Sequence, residues 1–255
     1  MKKDEKIMRG SRKHIMDWLS KEDFPREFIE LINLRECTFG HQSVWQPNDK
    51  NWDEICLEDN GDLFMSGTSC WKDLAGWWLV HRGGANKPNW DLVFACNISG
   101  KRGLVLVEAK AHKRELDWAG KRLCLNASSK SRENHERIGK AIDEAGHALN
   151  TIITGINLSR DTHYQLVNRI AYSWKIASMG IPVILLYLGF TGDEGIADVG
   201  EPIKNDDHWK HMMREYTEGI LPKNFPETSL DCGNASMKMI VRSKTVLNQS
   251  IRRKK

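Results

Sequence analysis

The chain has 255 residues, enough to bury a full core as one large domain or as a core with an added element. Hydrophobic residues make up 40% and charged residues 28%, which excludes wholesale disorder. The formal charge of +4 permits a polyanionic partner without demanding one. The basic residues gather at the ends, in Lys2, Lys3 and Lys6 and in residues 252–255, where solvated tails are the plainer reading.

Six cysteines are scattered without a C-x-x-C pair, which argues against a zinc ribbon and for reduced thiols, with Cys96 buried in an apolar strand. The N-terminus lacks an apolar signal region, and the longest nearly apolar run, 181–190, is too short to span a bilayer. The expectation is a cytoplasmic protein without membrane segments.

In chain order, the first 35 or so residues read as two helices, with Pro25 at the start of the second and Phe28, Ile29, Leu31 and Ile32 along it. Cys37 to Asp62 is polar, with Asn48, Asp49, Asn51, Asp59 and Asn60, and reads as loop. Residues 1–60 are thus expected to form an extension to a main domain over 61–255. Thr68 or Ser69 is placed to cap a helix through Trp71, Leu74 and Trp77, whose end near Leu79 the pattern leaves open. Gly83, Gly84, Asn86 and Pro88 force a turn. Strands over 91–98 and 104–111 flank a turn over 99–103. Helices over 131–149 and 163–179 follow, then a doubly buried strand over 181–190. A helix over 206–216 and a strand over 237–241 close an α/β layered pattern.

The chemistry concentrates in the hairpin. Alternation puts Leu104, Leu106, Glu108 and Lys110 on one face of the second strand. Folding about Ser99-Gly100 sets Asp91 opposite Glu108, and folding about Gly100-Lys101 sets it opposite Lys110. Either register gathers two carboxylates and an ammonium. Asp91, Glu108 and the Ala109 carbonyl are oxygen donors suited to Mg²⁺, with Mn²⁺ able to substitute. Lys110 is placed to orient or deprotonate a water or to hold charge on a phosphorane. The bland alternative is a salt bridge at a sheet edge. The (D/E)-x-K pattern alone is weak, since Asp4-Glu5-Lys6 matches it too. An apolar strand, an acidic hairpin partner and the register favour the catalytic reading.

The segment Pro88-Asn89-Trp90-Asp91, the hairpin and Val107-Glu108-Ala109-Lys110 resemble the PD-(D/E)xK, or restriction-endonuclease-like, nuclease superfamily over about residues 68–190. Trp90 stands in the usual proline position. The resemblance implies a restriction-endonuclease-like core with a mixed central sheet flanked by helices, plus N-terminal helices. Asp91 and Glu108 would be its metal ligands, and Lys110 its catalytic lysine. It also implies an acid on the helix before the strands, for which Asp73 is the nearest candidate and Glu54 or Glu58 lie further back.

Other candidates carry bland alternatives of equal standing. Lys113 and Arg114 could meet a phosphate backbone or form an exposed basic loop. Asn134, with His135 and Ser128 to Ser131, could bind phosphate at a helix start or merely cap it. His208 and His211 lack a third ligand, and most tryptophans read as core, not stacking platforms. No Walker A, G-x-G-x-x-G or G-x-S-x-G motif is present. The sequence therefore points to a Mg²⁺-dependent endonuclease of restriction or defence type acting on DNA, with RNA left open and a homodimer suited to double-strand cleavage. The competing expectation is an inactive nucleic-acid-binding or assembly module of the same fold.

Overall fold

A computed structural model describes residues 9–40, 43–47, 53–67, 69–83, 85 and 87–246. The basic tails, the upstream Asp4-Glu5-Lys6 match, the loop positions Asn48, Asp49 and Asn51, Thr68 as a cap, and Gly84 and Asn86 all lie outside the described residues. Among the described residues no helix is long and apolar enough to cross a membrane.

The elements begin with helices α1 (Gly10–Leu19) and α2 (Phe24–Ile32), short strands β1 (Cys37–Thr38) and β2 (Val44–Gln46), and helices α3 (Leu57–Asn60) and α4 (Cys70–Trp78). The hairpin β3 (Leu92–Ile98) and β4 (Lys101–Lys110) comes next, then α5 (Ser129–Asn150), α6 (Tyr164–Ser178) and β5 (Val183–Thr191). Helix α7 (Asp206–Thr217) and strands β6 (Ser229–Asp231) and β7 (Ser236–Thr245) complete the chain. Together they form an α/β fold around one mixed sheet in the order β1-β3-β4-β5-β7-β6, with β2 also on β3. The β4–β5 and β5–β7 pairs are parallel and the rest antiparallel.

Alternation on the strands builds two cores. Val93, Ala95, Leu104, Leu106, Leu185 and Tyr187 face the helical layer of α4 to α7, where Trp78, Ile142, Ile170 and Trp209 are fully buried or nearly so. Leu92, Phe94, Val105, Val107, Leu186 and Phe190 face α1 and α2, meeting Trp18, Phe24 and Phe28. Phe94 lies 5.1 Å from Phe28 in a stacked pair. The first 60 residues are thus no appendage. Without them the second face of the sheet, apolar on every central strand, would lie in water.

On its other edge β3 pairs with β1 and β2, both of which precede α4. Among the described residues of 79–90 no strand forms, apart from a Trp90 bridge to Ile55. Helix α4 stops at Trp78. Asn134 of α5 then takes over the chain, accepting from the Val80 and His81 amides at 3.0 and 2.8 Å and donating to the His81 carbonyl at 2.7 Å.

The hairpin turns on two residues. Ile98 pairs Lys101, and Ser99 and Gly100 both take positive φ, 51° and 83°, as a tight turn matched to strand twist requires. The five-residue turn expected from sequence is shorter because Lys101 to Gly103 join the ladder.

Helix α1 is anchored beyond the far end of β4. Glu115 accepts from the Ser11 amide and hydroxyl at 3.2 and 3.1 Å and from the Ala111 amide, so one carboxylate ties a helix start to the strand end.

Gly103 sits where β3 and the start of β5 crowd β4. A Cβ there would lie 2.7 Å from both the Pro182 carbonyl oxygen and the Ile98 side chain. Gly103→Ala is expected to cost about 1–3 kcal/mol in urea unfolding, because the backbone oxygen cannot step aside.

Candidate active site

The site grows from the hairpin register. Leu92 opposes Val107, so the next pair outward is Asp91 with Glu108, the first of the two alignments expected from sequence. The Asp91 amide also donates to the Val107 carbonyl at 3.1 Å. Opposed residues share a face, and so do Glu108 and Lys110 two positions apart, so all three reach the helical side of the sheet. Beyond β3, Ile55 and Trp90 exchange two backbone hydrogen bonds of 2.9 Å, which sets Glu54 opposite Asp91.

Glu108 is 3% exposed and Lys110 4%, so their charges are compensated by partners and not by water. One Glu108 oxygen accepts from Lys110 Nζ at 2.6 Å, and the other accepts from Arg169 Nε of α6 at 2.6 Å. Burial would raise this carboxyl, but Arg169 and Lys110 outweigh it and hold its pKa below the ordinary glutamate value. Arg169 in turn donates to Asn168 Oδ1 at 2.8 Å and the Asn89 carbonyl at 2.5 Å, and its guanidinium lies 4.8 Å from the Trp90 ring centroid. Lys110 donates also to Gln165 Oε1 at 2.9 Å.

Asp91 is half-buried at the mouth. One of its oxygens accepts from the Ala109 amide at 2.7 Å. Amide and carbonyl of one strand residue point to the same side, so the Ala109 carbonyl is directed toward Asp91 as well. Burial first, then the charge of Glu108, push the Asp91 carboxyl up to about 7, with Glu54 adding to the rise. Two acids share a site that holds one negative charge comfortably.

Of the expected residues, Asp91, Glu108, Ala109 and Lys110 come together. Asp73 does not: Trp71, Leu74 and Ala75 take the inner face of α4 and leave Asp73 exposed. The acid that Asp91 senses is Glu54, while Glu58 accepts from the Tyr172 hydroxyl at 2.5 Å. Asn134 is spent on the backbone at Val80 and His81, and the cap of α5 is Ser128, accepting from the Ser131 amide. His135 lies instead near Arg160 and Lys121, whose charges, after burial, lower its pKa. Lys113 and Arg114 are exposed in a helical turn after β4, with Arg114 donating to the Val199 carbonyl.

Arg169, Gln165 and Tyr187 escaped the reading from sequence. A signal existed for the first: Arg169 lies in a buried stripe with Leu166, Ile170 and Ser173, where a charge demands a partner. Gln165 stands one helical turn before it. Tyr187, aligned with Glu108 across the parallel β4–β5 ladder, gave none, being one apolar residue in an apolar strand.

Could these residues hold a divalent cation? Among the described residues no cluster of three or more His, Cys, Asp or Glu side chains is spaced to bind a metal. Mg²⁺ needs fewer protein ligands, since it keeps several waters. The donor set is all oxygen, and the proton that Asp91 retains marks a place where a cation would relieve repulsion. The fully buried Tyr187 hydroxyl, on the residue aligned with Glu108, finds no partner among the described residues. The residues fit the ion, provided Lys110 yields part of Glu108.

No protein-family model matches this chain, and no significant match is found to a curated protein or to a solved structure.

Two outcomes follow from the buried charges. Arg169→Leu strands Glu108 and the Asn89 carbonyl, and should lower unfolding free energy by about 3–5 kcal/mol in urea titrations. Asp91, an acid whose folded pKa exceeds its unfolded value, binds a proton on folding. Its contribution is complete below the unfolded value and is lost as pH rises through about 7. Asp91→Asn should therefore differ least from the wild type at the acid end, near about pH 4, and its stability advantage should grow with pH and level off above about pH 7.

Proposed function

We propose that the protein is a Mg²⁺-dependent endonuclease that hydrolyses phosphodiester bonds in DNA, built on a restriction-endonuclease-like core. The single observation that carries this reading is the opposed placement of Asp91 and Glu108 with Lys110 on the same face, at a sheet end where Asp91 remains partly open. Asp91, Glu108 and the Ala109 carbonyl would hold the ion, which when bound supplies Lewis acidity and a more acidic water.

The chain's own groups do the rest. Lys110, suspended between Glu108 and Gln165, is positioned rigidly enough to orient an attacking water, accept its proton, or hold charge developing on the phosphoryl oxygens. Arg169 fixes the Glu108 carboxylate in one rotamer from the opposite side. Lys113 and Arg114, exposed just beyond β4, are suited to sequence-independent contacts with the sugar-phosphate backbone.

One observation favours a second reading. Both Glu108 oxygens already accept from cations, as expected if a nuclease fold had closed its metal site and kept only nucleic-acid binding. Turnover separates the two. With Mg²⁺ or Mn²⁺ the purified protein should nick supercoiled DNA, and chelator or Lys110→Ala should reduce the rate by about 10²–10³-fold. Saturable, metal-independent binding without cutting would favour the inactive module. Equal cleavage by Lys110→Ala and Glu108→Gln would assign the activity to a contaminant.

A further inference from the structure

Residues 111–128 lead from β4 to α5, and part of this segment is laced to the chain before α6. Ala119 bridges Thr162, the Tyr164 amide donates to the Ala119 carbonyl at 2.9 Å, and the Lys121 amide donates to the Arg160 carbonyl at 2.9 Å. This lacing fixes the Lys121 side chain against the first turn of α6, with its ammonium 4.8 Å from the Tyr164 ring centroid. The next residue, Gln165, accepts from Lys110, and the Tyr164 phenol is close enough to Arg169 to feel its charge. One aromatic ring thus stands between Lys121 and the cations that grip Glu108.

Lys121 is half-buried, and among the described residues no carboxylate pairs with it. Burial alone draws its pKa below the usual lysine value. The face of an aromatic ring compensates a buried ammonium only in part. Its surroundings deepen the imbalance: the His135 ring is disfavoured as a cation by burial and by the charges of Arg160 and Lys121, with Asp161 and Glu136 opposing weakly. A half-buried cation lacking an anion is a group whose partner arrives from outside.

We propose that Lys121 anchors a backbone phosphate of the substrate adjacent to the one that is cut. This rests on the nuclease reading and adds a substrate contact to it. The acids Glu54, Asp91 and Glu108 lie at the ends of the strands, whereas Lys121 offers positive charge on the α6 side. A phosphodiester strand crossing from one to the other would meet cations first and the cutting centre next. Such a contact adds affinity without reading sequence.

The test is fluorescence-anisotropy binding of a labelled oligonucleotide in chelator over a range of KCl concentrations, alongside thermal melting of the free protein. Lys121→Met, which keeps the aliphatic packing, should weaken binding about tenfold at low salt and reduce the slope of log affinity against log salt by about one. The same variant should melt no lower than the wild type, because the uncompensated charge is gone. Lys121→Arg should restore both affinity and slope. Wild-type affinity and slope in Lys121→Met, with cleavage intact, would overturn this inference and leave the nuclease reading standing. No binding and no cleavage by the wild type itself would remove both.

Discussion

The arrangement turns on a single carboxylate. Glu108 ends an apolar strand in the middle of a seven-stranded sheet, almost wholly out of water, and survives there as an anion because Lys110 and Arg169 each take one of its oxygens. Burying one acid with two bases leaves a net positive charge, and Asp91 at the mouth is the natural counterweight. Yet Asp91 feels burial and Glu108 more strongly than it feels Lys110, so its proton is held to about neutral pH. The cluster is thus balanced on whether Asp91 carries its proton.

The geometry comes almost entirely from backbone rules. A two-residue turn fixes the register, the register opposes Asp91 and Glu108, and the period of two brings Lys110 to the same side. A slip of one position would carry Glu108 and Lys110 into the aromatic layer of Trp18, Phe24 and Phe28, where neither charge has a partner. The apolar contacts of both faces therefore enforce the alignment of Asp91, Glu108 and Lys110 as firmly as the polar ones do.

This explains what could be read from the residues alone. The long periodic segments, α5, α6 and β5, were legible because their stripes are unbroken, and the hairpin was legible because alternation and a Ser-Gly turn agree. The two-strand alignment came from counting. What stayed hidden depends on contacts between distant segments. Arg169 reaches Glu108 across 61 positions, and nothing local announces the pair. Asp73 looked suitable by its distance along the chain, but the phase of α4, set by Trp71 and Leu74, turns it outward. Asn134 heads a buried stripe as expected, yet its amide completes the backbone of a segment that lacks secondary structure. The short strands β1, β2 and β6 carry too few residues for any periodicity to show.

The carboxylate of Glu115 has a consequence for how the molecule can be divided. One of its oxygens accepts from Ser11 at the start of α1, and the other accepts from the amide of Ala111, one residue beyond Lys110. The outermost turn of the first helix is thereby a clamp on the strand that bears Glu108 and Lys110, although about a hundred residues separate them in the chain. A shortened protein that began just before the hairpin would keep Asp91, Glu108, Lys110 and Arg169 and lose Glu54, the brace that holds the strand end and the aromatic floor beneath it. The smallest autonomous unit must therefore start upstream of Ser11.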